Sequence, residues 1–197
     1  MSVTLYIMRH GETDWNKEKR LMGHFDVPIN EVGLQQAHVL VKKLYKIKLD
    51  SIYSSDLRRA LQTSEVLADQ LGISKIKSDY RLREAKGGVC EGLTWAEMHQ
   101  AHPEWWERDQ KDWYSTPYPG GESLLDVANR VEDMLNELAK NQVGKHIGVV
   151  THWGVICAVL ISVLKIDQEH MKRVHIDNCG LTVVHWGEEK SLLRLNA

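Results

Sequence analysis

The chain alternates between short apolar runs rich in β-branched residues and longer segments in which apolar residues recur every three or four positions. Runs of the first kind predict strands, and spacing of the second kind predicts helices with one buried face. The predicted strands are 3–8, 51–54, 73–78, 146–151, 181–186 and 192–195, and the predicted helices are 30–46, 57–71, 123–140 and 154–165. Because strands mostly alternate with helices, this order predicts an α/β fold with three layers, α/β/α, in which helices cover both faces of a largely parallel sheet.

Two stretches between these elements lack a clear period. Residues 14–32, broken by Gly23 and Pro28, are predicted to be irregular. Residues 80–121 are rich in aromatic side chains and read as an insertion that contains one or two short helices, starting near Thr94. We expect this helical and aromatic insertion to lie over the active site.

Length and charge narrow the class of protein. A chain of 197 residues suits one domain with a sizeable core, so we predict a single domain over residues 1–197. The formal charge of −2 and the absence of a long apolar run predict a cytoplasmic protein with no nucleic-acid or membrane partner. Three cysteines without CxxC spacing predict neither a disulfide framework nor a zinc site. We expect no cofactor, and whether the chain forms a homo-oligomer stays open.

Polar side chains follow three of the predicted strands. The pairs in question are Arg9-His10, Ser54-Ser55 and Thr151-His152. In open α/β sheets, ligands bind beyond the carboxyl ends of the parallel strands. We therefore expect these three strand ends to converge on one cleft.

The tripeptide Arg9-His10-Gly11 carries groups suited to phosphate chemistry. A neutral imidazole is an effective nucleophile that the anionic oxygens of a phosphate do not repel. An adjacent arginine can hold two phosphate oxygens through its planar fork, and a glycine lets the backbone approach an anion closely. By itself, however, the tripeptide is more typical of a structural histidine at the end of a strand, because tripeptides occur by chance.

Four further segments follow the first motif in order. The first motif, 9–16, reads RHGETDWN, and the others are SSDLRRALQT at 54–63, LREA at 82–85 followed by Gly88 and Glu91-Gly92, PGGES at 119–123, and VVTH at 149–152. Together they cover essentially the whole chain. In sequence and order they resemble the motifs of the histidine phosphatase superfamily, also called the phosphoglycerate mutase-like family.

The resemblance implies a role for each matching residue. His10 attacks phosphorus in line and becomes phosphohistidine, while Arg9, Arg59 and His152 surround the phosphoryl oxygens. Glu84 protonates the leaving oxygen and then deprotonates the water that hydrolyses the phosphoenzyme. The candidates for further contacts with phosphate or substrate are Asn16, Gly23, His24 and Trp153. Arg58 lies at a variable position and reads as a solvated charge.

The chemistry accounts for these residue types. The transferred phosphoryl group spreads negative charge over three oxygens, so fixed cationic donors stabilise it. Arg9 and Arg59, with a protonated or hydrogen-bond-donating His152, are therefore expected to act without a metal ion. Because an alkoxide leaves poorly, Glu84 must carry a proton in the first step.

The resemblance leaves the substrate open. The short segment 80–121 favours a phosphatase over a phosphoglycerate mutase, and the pattern is closest to small bacterial phosphatases of broad specificity that act on small phosphorylated metabolites. The alternatives are a cofactor-dependent phosphoglycerate mutase, an α-ribazole phosphatase and a catalytically weak phosphate-binding regulatory module.

Two groups of side chains bear on the substrate. Trp153 stands where the family often has glycine, and its indole either borders the phosphate site or points into the core. The aromatic residues of the insertion either roof the cleft or pack the insertion onto the domain; they are Trp105, Trp106, Trp113, Tyr114 and Tyr118. Met22, His24 and Val27 are candidates for the opposite wall.

Overall fold

A six-stranded sheet forms the centre of the protein in the computed structural model, which describes residues 2–197. The strands are β1 (Ser2–Arg9), β2 (Ser51–Ser54), β3 (Ile76–Ser78), β4 (His146–Thr151), β5 (Leu181–Gly187) and β6 (Ser191–Arg194). Their spatial order is β3-β2-β4-β1-β5-β6. The first four strands of that order run parallel, and β5 pairs antiparallel with both β1 and β6.

Helices cover both faces of this sheet. The α-helices of residues 2–197 are α1 (Asp14–Lys17), α2 (Glu31–Leu44), α3 (Arg58–Leu71), α4 (Trp95–Ala101), α5 (Pro103–Lys111), α6 (Leu124–Asn141), α7 (Trp153–Leu164) and α8 (Gln168–Met171). Apolar side chains of α2 and α3 form one core with the sheet, and those of α6 and α7 form another. This arrangement confirms the predicted three-layer α/β/α fold.

Local signals in the sequence explain where several elements begin and end. Ser123 caps α6 in a capping box with Asp126, and Thr94 caps α4 in the same way. Gly72 ends α3 in the left-handed conformation, at φ 68°. One or two short helices are expected from near Thr94, and two are present, α4 and α5.

The structure corrects three predictions of local structure. Residues 14–32 are not wholly irregular, because a capping box between Thr13 and Asn16 starts the short helix α1. Only residues 76–78 of the predicted strand 73–78 pair with β2. The four-residue helix α8 has no counterpart in the prediction, since it is too short to show a period. Within residues 2–197, none of the helices is long and apolar enough to cross a membrane.

Candidate active site

Three neighbouring strand ends meet at one edge of the sheet, as predicted. The β1 and β4 strands pair in parallel with Arg9 opposite Thr151, so the residues that follow them lie side by side. The ring centroids of His10 and His152 are 5.2 Å apart. Next to them, the Ser55 hydroxyl lies 2.8 Å from Nε2 of His152. The parallel pairing of β2, β4 and β1 therefore brings all three polar pairs to one place.

Two cavities share this edge of the sheet. The central cavity, of about 540 Å³, is lined by Arg9, His10, Trp15, Asn16, Lys19, Arg20, Leu21, Met22, Gly23, Arg59, Glu84, Trp95, Trp153, His175 and Ile176. The second, of about 440 Å³ and here called the aromatic chamber, is lined by Leu21, Glu84, Ala85, Trp95, Trp106, Asp109, Gln110, Trp113, Thr116, Tyr118, Leu124, Trp153, Gly154 and Lys172. Both cavities contact Leu21, Glu84, Trp95 and Trp153, so they are neighbouring parts of one cleft.

The hydrogen bonds of His10 define its tautomer. Its Nδ1 lies 2.8 Å from the carbonyl oxygen of Gly11, which can only accept, so Nδ1 carries the proton. The lone pair of a neutral ring is then on Nε2, the nitrogen left without a partner within the described residues. His10 is 2% exposed and lines the central cavity. The ring is thus held with an unprotonated nitrogen available for attack.

Burial keeps His10 neutral. It lowers the pKa of His10 well below the usual value, and the positive charges of Arg59 and then Arg9 lower it further. Because the pKa of His10 is lowered, its neutral form persists to a lower pH than that of an exposed histidine, which becomes protonated at about pH 6.5.

We therefore expect the His10 ring to remain neutral well below pH 6.5. The measurement is a pH titration of ¹⁵N chemical shifts in histidine-labelled protein, with His10→Asn used to assign the signal. The neutral ring should also show the proton on Nδ1. Protonation of that signal at or above pH 6.5 would contradict the electrostatic assignment.

Arg59 is completely buried and is held from three sides. Its Nε donates to Nδ1 of His152 at 3.3 Å, and its terminal nitrogens donate to the carbonyl oxygens of Phe25 and Gly23, each at 2.8 Å. Three of its five N–H groups are used in this way, and the side chain also lines the central cavity, so two remain for a phosphoryl oxygen. Burial lowers the pKa of Arg59 to about 10, which leaves it charged at neutral pH.

Arg9 supplies a second guanidinium to the central cavity. One terminal nitrogen donates to the carbonyl oxygen of Ile176 at 2.8 Å, whereas Nε is buried and has no hydrogen-bond partner among the described residues. Burial lowers the pKa of Arg9, and the charge of Glu84 opposes that shift. Arg58, in contrast, is exposed, in line with its reading as a solvated charge.

His152 is neutral in this arrangement. Since Arg59 Nε donates to Nδ1, the remaining ring proton sits on Nε2 and is donated to the hydroxyl of Ser55. Burial lowers the pKa of His152 well below the usual value, and the nearby charge of Arg59 lowers it further. Of the two forms expected from the sequence, protonated or hydrogen-bond-donating, these contacts favour the neutral ring that donates from Nε2. His152 is fully buried and does not line either cavity, so a direct contact with phosphate stays a prediction.

Glu84 lies between the two cavities and is fixed by backbone donors. Its Oε1 accepts from the amide of Ala85 at 2.9 Å and from the amide of Gly154 at 3.1 Å. A Cβ at position 154 would collide with Oε1 of Glu84, so only glycine leaves room for this contact. The Trp153-Gly154 pair, in which tryptophan departs from the family pattern, therefore retains the glycine that the carboxyl group needs.

Sequence reasoning did not identify the groups that hold the backbone of Glu84. Its carbonyl oxygen accepts from Arg130 at 2.9 Å and lies 2.9 Å from Nε2 of His24. Arg130 also pairs with Glu122 of the PGGES motif at 3.1 Å. Glu122 precedes α6 and Arg130 lies within it, eight positions later, so the pair does not have the i,i+3 or i,i+4 spacing that indicates a contact from sequence.

The remaining predicted contacts divide into two kinds. Asn16 lines the central cavity; its oxygen accepts from the backbone N–H of Thr13 at 3.1 Å, which leaves its N–H₂ group for a ligand. Asn178, which the sequence did not indicate, also donates to that oxygen at 3.3 Å and to the carbonyl of His10 at 2.9 Å. Gly23 lines the cavity, and its carbonyl accepts from Arg59.

His24 and the other candidates for the opposite wall lie differently. His24 does not line either cavity, because its ring reaches back to Glu84 and lies 3.8 Å from Glu122. Met22 lines the central cavity, whereas Val27 does not.

The aromatic residues of the insertion serve both of the roles considered. Trp106, Trp113 and Tyr118 line the aromatic chamber. Trp105 is 3% exposed and packs on Tyr118 with ring centroids 5.2 Å apart, so it holds the insertion together. Tyr114 lines a different groove. Trp153 borders both parts of the cleft, 6.0 Å from Trp113 between ring centroids.

Comparisons with known proteins agree with this site. Residues 5–197 match the sequence profile of the histidine phosphatase superfamily (branch 1). The chain is 32% identical over 195 residues to phosphoserine phosphatase 1 of Hydrogenobacter thermophilus, covering 98% of this chain and 92% of the relative. It is 37% identical over 154 residues to phosphoglycerate mutase-like protein 4 of Arabidopsis thaliana, covering 77% and 67%. A mycobacterial glucosyl-3-phosphoglycerate phosphatase solved with VO₃ superposes with a TM-score of 0.86 at 31% identity, covering 98% of both chains.

The chain belongs to the histidine phosphatase superfamily. Together with the relatives and the matching structures, this membership makes it an enzyme of the phosphatase type. The names of these relatives refer to different phosphorylated compounds: phosphoserine, phosphoglycerate and glucosyl-3-phosphoglycerate.

Proposed function

We propose that this protein hydrolyses small phosphomonoesters through a phosphohistidine at His10, without a metal ion. The observation that carries the proposal is the tautomer of His10: Nδ1 donates a 2.8 Å hydrogen bond to Gly11, and Nε2 has no partner within the described residues. A neutral nitrogen beside two buried guanidinium groups is the arrangement that phosphoryl transfer requires.

In the first step Nε2 of His10 bonds to phosphorus while the bond from phosphorus to the ester oxygen breaks. Arg9 and Arg59 balance the charge on the phosphoryl oxygens, and the N–H₂ group of Asn16 supplies a further donor. Protonated Glu84 gives its proton to the leaving oxygen, so the product departs as an alcohol. Since Glu84 borders both cavities, the leaving alcohol lies in or beside the aromatic chamber.

In the second step Glu84 acts as a base instead of an acid. Glu84, now a carboxylate, takes a proton from water, the water oxygen bonds to phosphorus, and the bond to Nε2 of His10 breaks. The products are inorganic phosphate and the free enzyme with Glu84 again protonated. The metal ion used by many phosphoryl-transfer enzymes is replaced by the two guanidinium groups.

The residues on the leaving-group side of the site favour hydrolysis over mutase activity. A mutase must hold a second anionic molecule against its phosphohistidine, which calls for several cationic side chains around the leaving group. Among the described residues the aromatic chamber is lined by one, Lys172, beside residues that are mainly aromatic or uncharged. Lys19 and Arg20 line the central cavity instead, and Arg20 is paired with Glu18 and Glu97. α-Ribazole phosphate stays within the proposed class of substrates, as a phosphomonoester with a ring-bearing leaving group.

The proposal predicts hydrolysis of p-nitrophenyl phosphate in the presence of EDTA. We expect the same kcat with EDTA as with added Mg²⁺, because the charges of the phosphoryl group are met by Arg9 and Arg59. The matched control assays 3-phosphoglycerate, with 2,3-bisphosphoglycerate present, for isomerisation. Loss of activity with EDTA and recovery with Mg²⁺ would overturn metal independence, and isomerisation faster than hydrolysis would favour the mutase.

A further inference from the structure

The aromatic chamber contains a carboxylate that the proposed mechanism does not use. Asp109 is 9% exposed and lines the chamber. Among the described residues its one hydrogen bond comes from the side-chain amide of Gln110, at 3.5 Å. Buried carboxylates in proteins are normally paired with a cation or with several donors, because taking the charge out of water is costly. Asp109 is therefore an acid whose partner is missing within the described residues.

The walls around Asp109 are aromatic. Trp106 precedes it by three positions on α5, so the two side chains share one face of that helix. Three further tryptophans line the same chamber: Trp95, Trp113 and Trp153. Aromatic faces attract cations through their quadrupole, and tryptophan does so most strongly. The Asp109 carboxylate and the tryptophan rings therefore both favour a positively charged group in the chamber.

The charged groups near the chamber leave room for a cation. Lys172 is the one cation lining it, and its Nζ is paired with Glu169 at 3.1 Å and lies 5.9 Å from the centroid of Trp113. Lys172 lowers the pKa of Asp109, but burial raises that pKa by more. Within the described residues no ion pair joins Lys172 to Asp109, so this ammonium does not serve as a full partner for the carboxylate.

We infer that the aromatic chamber binds an alkylammonium group carried by the leaving alcohol, so that the preferred substrates are phosphomonoesters of amino alcohols. The inference rests on the proposed function, because it assigns the chamber to the alcohol that Glu84 protonates. In such a complex the phosphoryl group lies at His10 and the ammonium group lies among the tryptophans, opposite Asp109. Hydrolysis then proceeds by the two balanced steps given above, and the ammonium group takes no part in bond formation.

The test compares two substrates of the same shape. Phosphocholine and 3,3-dimethylbutyl phosphate differ in one atom, a positively charged nitrogen in place of a carbon. We expect kcat/KM to be about tenfold higher for phosphocholine or more, the size of effect that a desolvated cation–π site with a carboxylate supports. Asp109→Asn should reduce this ratio severalfold, because only the aromatic rings then favour the cation, whereas Glu107→Gln, an equal loss of charge at an exposed position on the same helix, should leave it unchanged.

The outcomes separate this inference from the proposed function. A ratio near one in the unmodified protein, with both esters hydrolysed, overturns the inference and leaves the phosphatase mechanism standing. No hydrolysis of either ester or of p-nitrophenyl phosphate overturns the proposed function itself. A preference for glucose 6-phosphate that depends on Asp109 would show that the chamber binds hydroxyl groups, and would also overturn the inference. If Asp109→Asn does not fold, Trp106→Leu replaces it, with a lowered ratio again expected because one of the aromatic faces is lost, and an unchanged ratio overturns the inference.

Discussion

Replacing His10 with alanine should lower kcat for any phosphomonoester by a factor on the order of 10⁵, with the fold intact, as expected for removal of a nucleophile. The change removes the proposed nucleophile, but it leaves Arg9, Arg59 and Asn16 lining the central cavity. Substrate should therefore still bind. The measurement pairs steady-state kinetics with isothermal calorimetry of inorganic phosphate.

Loss of turnover alone would not distinguish a nucleophile from a phosphate-binding residue. The decisive readout is the acid-labile phosphoenzyme that forms when the protein is quenched during turnover of ³²P-labelled substrate. It should be present in the unmodified chain and in His38→Ala, an exposed histidine on α2, and absent from His10→Ala. Labelling of the His10→Ala variant at the same level would exclude His10 as the residue that carries phosphate.

The elements that bear the site were predictable because their signals are local. The spacing of apolar residues and the length of each apolar segment predict β1, β4 and α6. The alternation of strands and helices then implies a parallel sheet, which brings the ends of the strands together. Arg9, His10 and Arg59 follow from motifs at those ends. The resemblance also separated Arg59 from Arg58, and the structure places the first inside and the second in solvent.

Other parts of the site depend on contacts between distant segments, which no local pattern encodes. Asn178 reaches His10 across 168 positions of sequence, and Arg130 reaches Glu84 across 46. His152 is neutral because Arg59 Nε donates a hydrogen bond to its Nδ1, and the spacing of residues in the sequence does not predict where that N–H group points. Asp109 was not singled out because an aspartate on a polar helix normally faces water. Its burial becomes visible only once the tryptophans of the insertion fold around it.

Glu84→Gln tests the proton donor and should act according to the leaving group. Glutamine keeps the shape of the side chain and can still contact the amide of Gly154 through its oxygen, but it has no proton to give. For alkyl esters, whose alkoxides leave poorly, we expect phosphorylation of His10 to slow by about 10² to 10⁴-fold. For p-nitrophenyl phosphate, whose leaving group needs no proton, phosphorylation should change little.

The second step separates a proton-transfer role from a structural one. Because Glu84 is also proposed to activate water, hydrolysis of the phosphohistidine should slow for every substrate, and p-nitrophenyl phosphate should then give a burst of one equivalent of p-nitrophenol followed by a slow phase. Stopped-flow absorbance resolves the two phases, and melting temperature checks the fold. Equal slowing of the burst for alkyl and p-nitrophenyl esters would mean that Glu84 positions the site rather than protonates the leaving oxygen. Its place between Gly154 and the two cavities predicts the unequal result, since a carboxyl group there meets the ester oxygen on the side from which the alcohol departs.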